Sequence, residues 1–118
     1  MGVRVVHLEF PAQDADRAQS FYEQLVGWEF SQPMEGMDYR MADLGEGQGA
    51  AIWPAESGQS GLRVYLGVDD IDASLAQVRE LGGEAEEKMP VPGMGWFAAC
   101  KDPEGNAFSF WQTDSAAS

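Results

Sequence analysis

Histidine and cysteine each occur once in these 118 residues, and Lys and Arg together occur 7 times against 20 Asp and Glu. Each shortage excludes something. A single cysteine, Cys100, leaves no partner for an internal disulfide. The formal net charge of −13 repels phosphate backbones and anionic lipid, removing the term that dominates nucleic-acid binding. That acidity suits either a plain water-facing surface or a preference for cationic ligands. No apolar run approaches the ~20 residues of a membrane-spanning helix, and the opening MGVRVVHLEF lacks the apolar core and small-residue cleavage site of a secretion signal. The expectation is a cytoplasmic protein with no nucleic-acid or membrane partner. The length fits one compact domain able to bury roughly two-thirds of its unfolded surface.

What is present is a pattern that occurs twice. Residues 3–10 alternate, with Val6, Leu8 and Phe10 on one face and His7 and Glu9 on the other, as a half-buried strand requires. Asp14 is placed to cap a helix whose apolar stripe is Ala18, Phe21, Tyr22 and Leu25, and Gly27 suits its left-handed stop. Strand candidates WEFS, DYRMADL and GAAIW follow, divided by turn formers Pro33, Gly36, Gly45 and Gly47. After the polar stretch 54–61, which reads as a linker, LRVYLGV repeats the strand. Asp70 repeats the cap, Ile71, Leu75, Val78 and Leu81 the stripe, and Gly82 and Gly83 the stop. A shift of 56 residues superposes Asp14 on Asp70, Leu25 on Leu81 and Gly27 on Gly83; a shift of 58 places Trp53 on Trp111. The fold expected is α+β, two tandem βαβββ modules at about 3–53 and 62–111 and a loose tail at 113–118. KDPEGNAFSFW reads as a tight hairpin before a final strand, and KMPVPGMGW as the edge of a pocket or an ordinary long turn.

FYEQLVGW closing the first helix, VDDIDASLAQVRELGG forming the second and DPEGNAFSFW at the end resemble the vicinal oxygen chelate superfamily. It holds glyoxalase I, extradiol dioxygenases and bleomycin-resistance proteins, and the nearest branch is bacterial and related to lactoylglutathione lyase. The resemblance runs from His7 to Gln112. It implies a curved mixed sheet around a cavity with helices outside, a homodimer, and four strand positions that hold a divalent metal in the metal enzymes. Those positions are His7, fourteen residues before Phe21; Ala51; Arg63, six before Asp69; and Ser109, where the family has Glu. Alanine has no donor, arginine brings a fixed positive charge, and serine is a poor ligand beside a carboxylate. Only His7 matches, so the reading predicts no metal and no cofactor.

Alternation places Arg63 and Tyr65 on the face equivalent to His7 and Glu9, and pairs Ala51 with Trp53 and Ser109 with Trp111. His7, Glu9, Trp53, Arg63, Tyr65, Ser109 and Trp111 are the candidate ligand-binding residues, with His7, Glu9 and Arg63 the catalytic candidates. Each has a plainer role available: Arg63 as a structural ion pair with Glu9, His7 as a satisfied polar residue, the tryptophans as core. Cys100 reads as structural, because adjacent Lys101 points to the opposite face. The function expected is small-molecule binding of the bleomycin-resistance type, with an aromatic or cationic ligand. The alternative is a glyoxalase-related lyase or isomerase, either with a divalent metal or with His7, Glu9 and Arg63 as acid/base and anion-anchoring groups.

Overall fold

The computed structural model describes residues 3–32, 35–54 and 61–118. In chain order its elements are β1 (Arg4–Ala12), α1 (Ala15–Val26), β2 (Arg40–Gly45), β3 (Gln48–Pro54), β4 (Arg63–Gly67), α2 (Ile71–Glu80), β5 (Glu84–Ala85), β6 (Met89–Val91), β7 (Gly95–Lys101) and β8 (Ala107–Thr113). Parallel and antiparallel strand pairs with two helices make the fold α+β. The chain divides into two compact units, His7–Arg63 and Met1–Val6 with Val64–Ser118, so the boundary cuts β1 after Val6 instead of preceding it. Of the expected linker 54–61, Pro54 closes β3 and residues 55–60 lie outside the described residues.

In the unit His7–Arg63, β1 runs parallel to β3, and β2 runs antiparallel to β3. Asp14 caps α1, its carboxylate accepting from Arg17 N–H at 3.0 Å, and Gly27 at φ 77° ends the helix. Phe10 packs on Tyr22 of α1 at 4.9 Å and on Trp28 at 6.3 Å between ring centroids, which fixes the helix side of the sheet. Phe10 pairs with Ile52 and Leu8 with Ala50, so these residues share that side, and burial of Ile52 alone contributes about 1.5–3 kcal/mol. His7, Glu9 and Ala51 therefore point away from α1, as the alternation predicts.

Two expectations fail in this unit. Phe21 and Leu25 are 56% and 64% exposed. The face that α1 turns to the sheet is Ala15, Ala18, Gln19 and Tyr22, at helical spacing i, i+3, i+4 and i+7, and Phe21 and Leu25 fall off it. WEFS forms no strand either: Trp28 stacks on Tyr22 at 5.8 Å, and only Ser31 bridges Met41. Trp28 thus packs on the helix, and Phe30 packs edge-on against Trp28.

In the other unit, β4 runs parallel to β8, β7 pairs antiparallel with β8, and both β5 and β6 pair with β7. Asp70 caps α2 through Ala73 N–H. Ile71 and Leu75 bury against Ala98, Cys100 and Phe110, whereas Leu81 lies past the helix end and is exposed. Cys100 thus faces the helix, and burial pushes its thiol pKa up, in keeping with a packing role. Gly83 lies so near β7 that a Cβ would stand 2.7 Å from the Lys101 carbonyl. In the turn joining β7 to β8, the Asp102 carboxylate accepts from Glu104 N–H, Asn106 N–H and the Asn106 amide, giving the tight hairpin expected of DPEGN.

KMPVPGMGW is mostly ordered pairing, β6 against β7, closed by a turn. The tail expected to be loose is pinned to that turn. Asp114 N–H donates to the Met94 carbonyl, Gly93 N–H donates to the Ala117 carbonyl, and Ala117 is buried. A small apolar side chain that fills a site and a backbone whose polar groups are satisfied hold this segment despite its polar sequence.

The repeat holds at the level of strand register. Glu9 pairs with Ala51 as Tyr65 pairs with Ser109, Phe10 with Ile52 as Leu66 with Phe110, and Pro11 with Trp53 as Gly67 with Trp111. Met41 lies opposite Ala51 as Ala99 lies opposite Ser109. The shifts of 56 and 58 read from the sequence are therefore the true correspondences.

Candidate functional site

The polar cluster of the first unit forms on the sheet face turned away from α1. β1 carries His7 and Glu9 two residues apart on that face, and the strand pairs bring a third group to them. Met41 of β2 lies opposite Ala51, which pairs with Glu9; Tyr39, two residues before Met41, projects to the same side. Its phenol oxygen lies 2.7 Å from His7 Nε2 and donates to Glu9 Oε2 at 2.6 Å. The His7 and Glu9 atoms are themselves 3.9 Å apart, so Tyr39 is the short bridge between them. The His7 and Tyr39 rings are stacked, 6.4 Å between centroids at 26°.

All three groups are at least half-buried, with Glu9 only 8% exposed. Burial pulls the His7 pKa below its ordinary 6.5, outweighing the opposite pull of Glu9, so the imidazole is neutral at neutral pH. Gly49 pairs with His7 across the β1–β3 ladder, and a Cβ there would stand 3.2 Å from His7 Nδ1. The glycine gives the ring its room.

Trp53 sits on the same face of β3 as Ala51, one pleat repeat of about 7 Å further along. Its indole N–H is buried without a hydrogen-bond partner in the described structure. Arg63 begins β4 and is half-buried. The ion pairs among the described residues are His7–Glu9, Arg40–Asp16, Arg40–Asp38 and Lys88–Asp72, so the pairing of Arg63 with Glu9 is not formed. Glu9 accepts a hydrogen bond from the Tyr39 hydroxyl.

Tyr65, Ser109 and Trp111 lie on the corresponding face of the other unit, turned away from α2. Tyr65 pairs directly with Ser109, both buried. Trp111 donates its indole N–H to Thr113 Oγ1 at 3.0 Å. Of the seven residues picked from sequence, the structure thus joins His7 and Glu9 through hydrogen bonds and seats Tyr65 beside Ser109.

Tyr39 is the group the sequence reading left off the site, because its orientation was not fixed by the sequence. Its signal lay in DYRMADL, where alternation puts Tyr39 and Met41 together, but the register that carries them to Glu9 depends on the β2–β3 turn. There Gly45, Glu46 and Gly47 all take positive φ, and the register shifts between Asp43 and Gly45. Among the described residues, His, Cys, Asp and Glu side chains nowhere gather in threes fit for a metal ion. Ala51, buried beside Glu9, contributes only a methyl group.

Comparison with known proteins supplies the wider setting. The chain is 37% identical over 100 residues to the protein CFP32 of Mycobacterium tuberculosis, a match covering 80% of this chain but 38% of that longer protein. It is 29% identical to the lactoylglutathione lyase of Haemophilus influenzae, covering 98% of this chain and 97% of that one. A glyoxalase/bleomycin resistance protein/dioxygenase superfamily member from Vibrio splendidus has the same fold, with TM-score 0.70, 21% identity, and 94% and 99% of the two chains covered. No helix among the described residues is long and apolar enough to cross a membrane. Residues 6–111 match the glyoxalase-like domain, and with the two repeated units and their shared register this chain belongs to the glyoxalase-like family of the vicinal oxygen chelate superfamily.

Proposed function

We propose that this chain binds a small organic molecule, aromatic or cationic, on the sheet face that carries His7, Glu9, Tyr39 and Trp53, and that it does so without a metal. The observation that carries the reading is the Tyr39 bridge: the imidazole and the carboxylate of β1 are both tied to a phenol, at 2.7 and 2.6 Å. The other family ligand positions hold a methyl group, a guanidinium and a hydroxyl, a donor set that does not fit a four-ligand divalent site. A neutral imidazole beside a carboxylate leaves the cluster negative, and the chain adds a net charge of −13, which favours cations. A thermal-shift screen of aromatic amines with and without Ni, Zn and Fe tests this. Stabilisation by an amine, unchanged by metal, is expected. Purification with a full equivalent of bound transition metal would sink the proposal.

A second reading is favoured by the neutral state of His7. An imidazole held neutral by burial, hydrogen-bonded through Tyr39 to a carboxylate, suits metal-free general acid/base work on a bound substrate, with Arg63 as an anion anchor. The lyase named among the relatives makes a lyase or isomerase reaction the natural class. A His7→Gln variant that still binds ligand but loses turnover supports this over simple binding. We further propose a homodimer, supported by Phe21, Leu25 and Val26 standing exposed on α1; light scattering of a ~13 kDa particle, the monomer mass expected at this length, counts against it.

A further inference from the structure

Helix α1 carries its only basic residue, Arg17, at the wrong end. Arg17 stands in the first turn, where the partial positive charge of the helix N-terminus disfavours a cation, while the last turn, the negative end, holds no basic residue. Among the described residues Arg17 has no ion pair to offset this. Arg17, Ser20, Phe21, Gln24 and Leu25 line a shallow groove on the outer side of α1, away from the face that meets the sheet. Their alternating spacing of three and four residues is that of a seam which accepts another helix. Asp16 and Glu23, the acids of α1, fall to one side of it. In a chain of net charge −13, a seam free of acids is where a second copy meets least repulsion.

We propose that two copies of this chain pair through α1 in antiparallel, about a two-fold axis at Phe21, so that each Arg17 lies over the last turn of the partner's α1. The occupant is a second copy because the seam complements itself. Residues equally far on either side of Phe21 meet across the axis, which sets Phe21 on the partner's Phe21 and Arg17 beside the partner's Leu25. The Arg17 stem covers that leucine, and its guanidinium donates to the terminal carbonyls of the helix, of which Glu23's is already taken by Gly27 N–H at 3.1 Å. One helix seam is a small interface, so the dimer dissociates in the micromolar range. This pairing presumes the homodimer proposed above and adds to it a face, a direction and a role for Arg17.

Sedimentation equilibrium of the full chain tests this over concentrations spanning the micromolar range, where the wild type should dimerise reversibly. Phe21→Glu sets two carboxylates against each other at the axis and should weaken the dimer at least ~30-fold, as loss of a central anchor does. Arg17→Glu should weaken it about tenfold, since each dimer contains the contact twice, yet leave the thermal midpoint of the monomer unchanged or raised, because the first turn favours an acid. Those opposite signs separate a role between copies from a role within the helix. Both positions are exposed, so the variants keep the fold, which circular dichroism checks. Disulfides read the direction: on mild oxidation, Arg17→Cys protein mixed with Leu25→Cys protein should link faster than either variant alone, Cys100 being buried. A parallel pairing would link like with like, and no gain in the mixture overturns the antiparallel arrangement. A dimer undiminished in both Phe21→Glu and Arg17→Glu overturns the α1 seam and leaves the homodimer standing on another face. A wild type that stays monomeric throughout overturns both, and gives the seam to a different partner.

Discussion

Gly49 faces His7 across the parallel β1–β3 pair so closely that a Cβ on it would lie 3.2 Å from Nδ1 and 3.4 Å from the Ala42 carbonyl. Replacing it with Ala sets two effects against each other. Removing a glycine from a strand gains about 0.5–1 kcal/mol of backbone entropy, while the imidazole must give way by a few tenths of an ångström. Gly49→Ala should therefore change stability by less than about 1 kcal/mol yet displace the ring from Tyr39. A moved His7 ring-proton resonance with a nearly unchanged urea midpoint is the expected result. An unmoved resonance would show that the ring has room to spare.

Tyr39→Phe removes the hydroxyl between His7 and Glu9 and keeps the ring. Both partners are at least partly buried, so each loses a hydrogen bond that water replaces poorly. The expected cost is about 1–3 kcal/mol by chemical denaturation. A loss no larger than for Tyr22→Phe, whose side chain contributes ring packing to α1, would mean the bridge contributes little.

His7 also sets a pH dependence with a definite sign. Its folded pKa lies below the unfolded value of 6.5, so between the two the unfolded chain binds more protons. Stability therefore rises with pH through this window and is lost as pH falls below about 6.5, down to the folded pKa. His7→Gln should flatten the slope of unfolding free energy in the window just below pH 6.5. An equal slope in the variant would assign the effect elsewhere.

These residues show where the sequence was informative. Alternation in VVHLEF placed His7 and Glu9 on one face because a strand's period of two leaves no other choice once Phe10 goes under the helix. The repeat was legible because caps, stops and strand registers recur at fixed shifts. Phe21 and Leu25 misled, since hydrophobicity alone does not say which of two overlapping stripes a helix buries. Tyr39 was hidden for a different reason: its position depends on a turn of three consecutive positive-φ residues and a register slip, which local composition does not specify. The tail was misjudged because Ala117 and backbone hydrogen bonds hold it, and neither stands out in a Ser- and Ala-rich stretch.

Trp53 and Trp111 occupy equivalent positions of the two units but differ at one atom. Trp111 donates its indole N–H to Thr113, whereas the Trp53 N–H is buried without a partner in the described structure. An orphaned buried donor costs about 1–3 kcal/mol, and removing it recovers part of that. Trp53→Phe should therefore destabilise less than Trp111→Phe, although both lose the same ring area. Urea midpoints in the opposite order would reveal a hydrogen bond to solvent at Trp53.

Gly95 shows the reverse case, a glycine whose missing side chain is fully used. It begins β7 opposite Thr113, and a Cβ there would lie 2.3 Å from the Gln112 carbonyl and 2.6 Å from Cζ2 of Trp111, whose ring covers it. Neither obstacle is a flexible chain end, so Gly95→Ala should cost about 3 kcal/mol or more, at the upper end of overpacking effects. The two obstacles can be separated. Trp111→Val in the same background removes the ring but leaves the carbonyl, which the β7–β8 pairing holds in place. A double-mutant cycle should thus show positive coupling between Gly95 and Trp111 but incomplete rescue, the remainder being the backbone clash. Complete rescue would mean that the strand yields at Gln112 and that the ring alone requires glycine at this position.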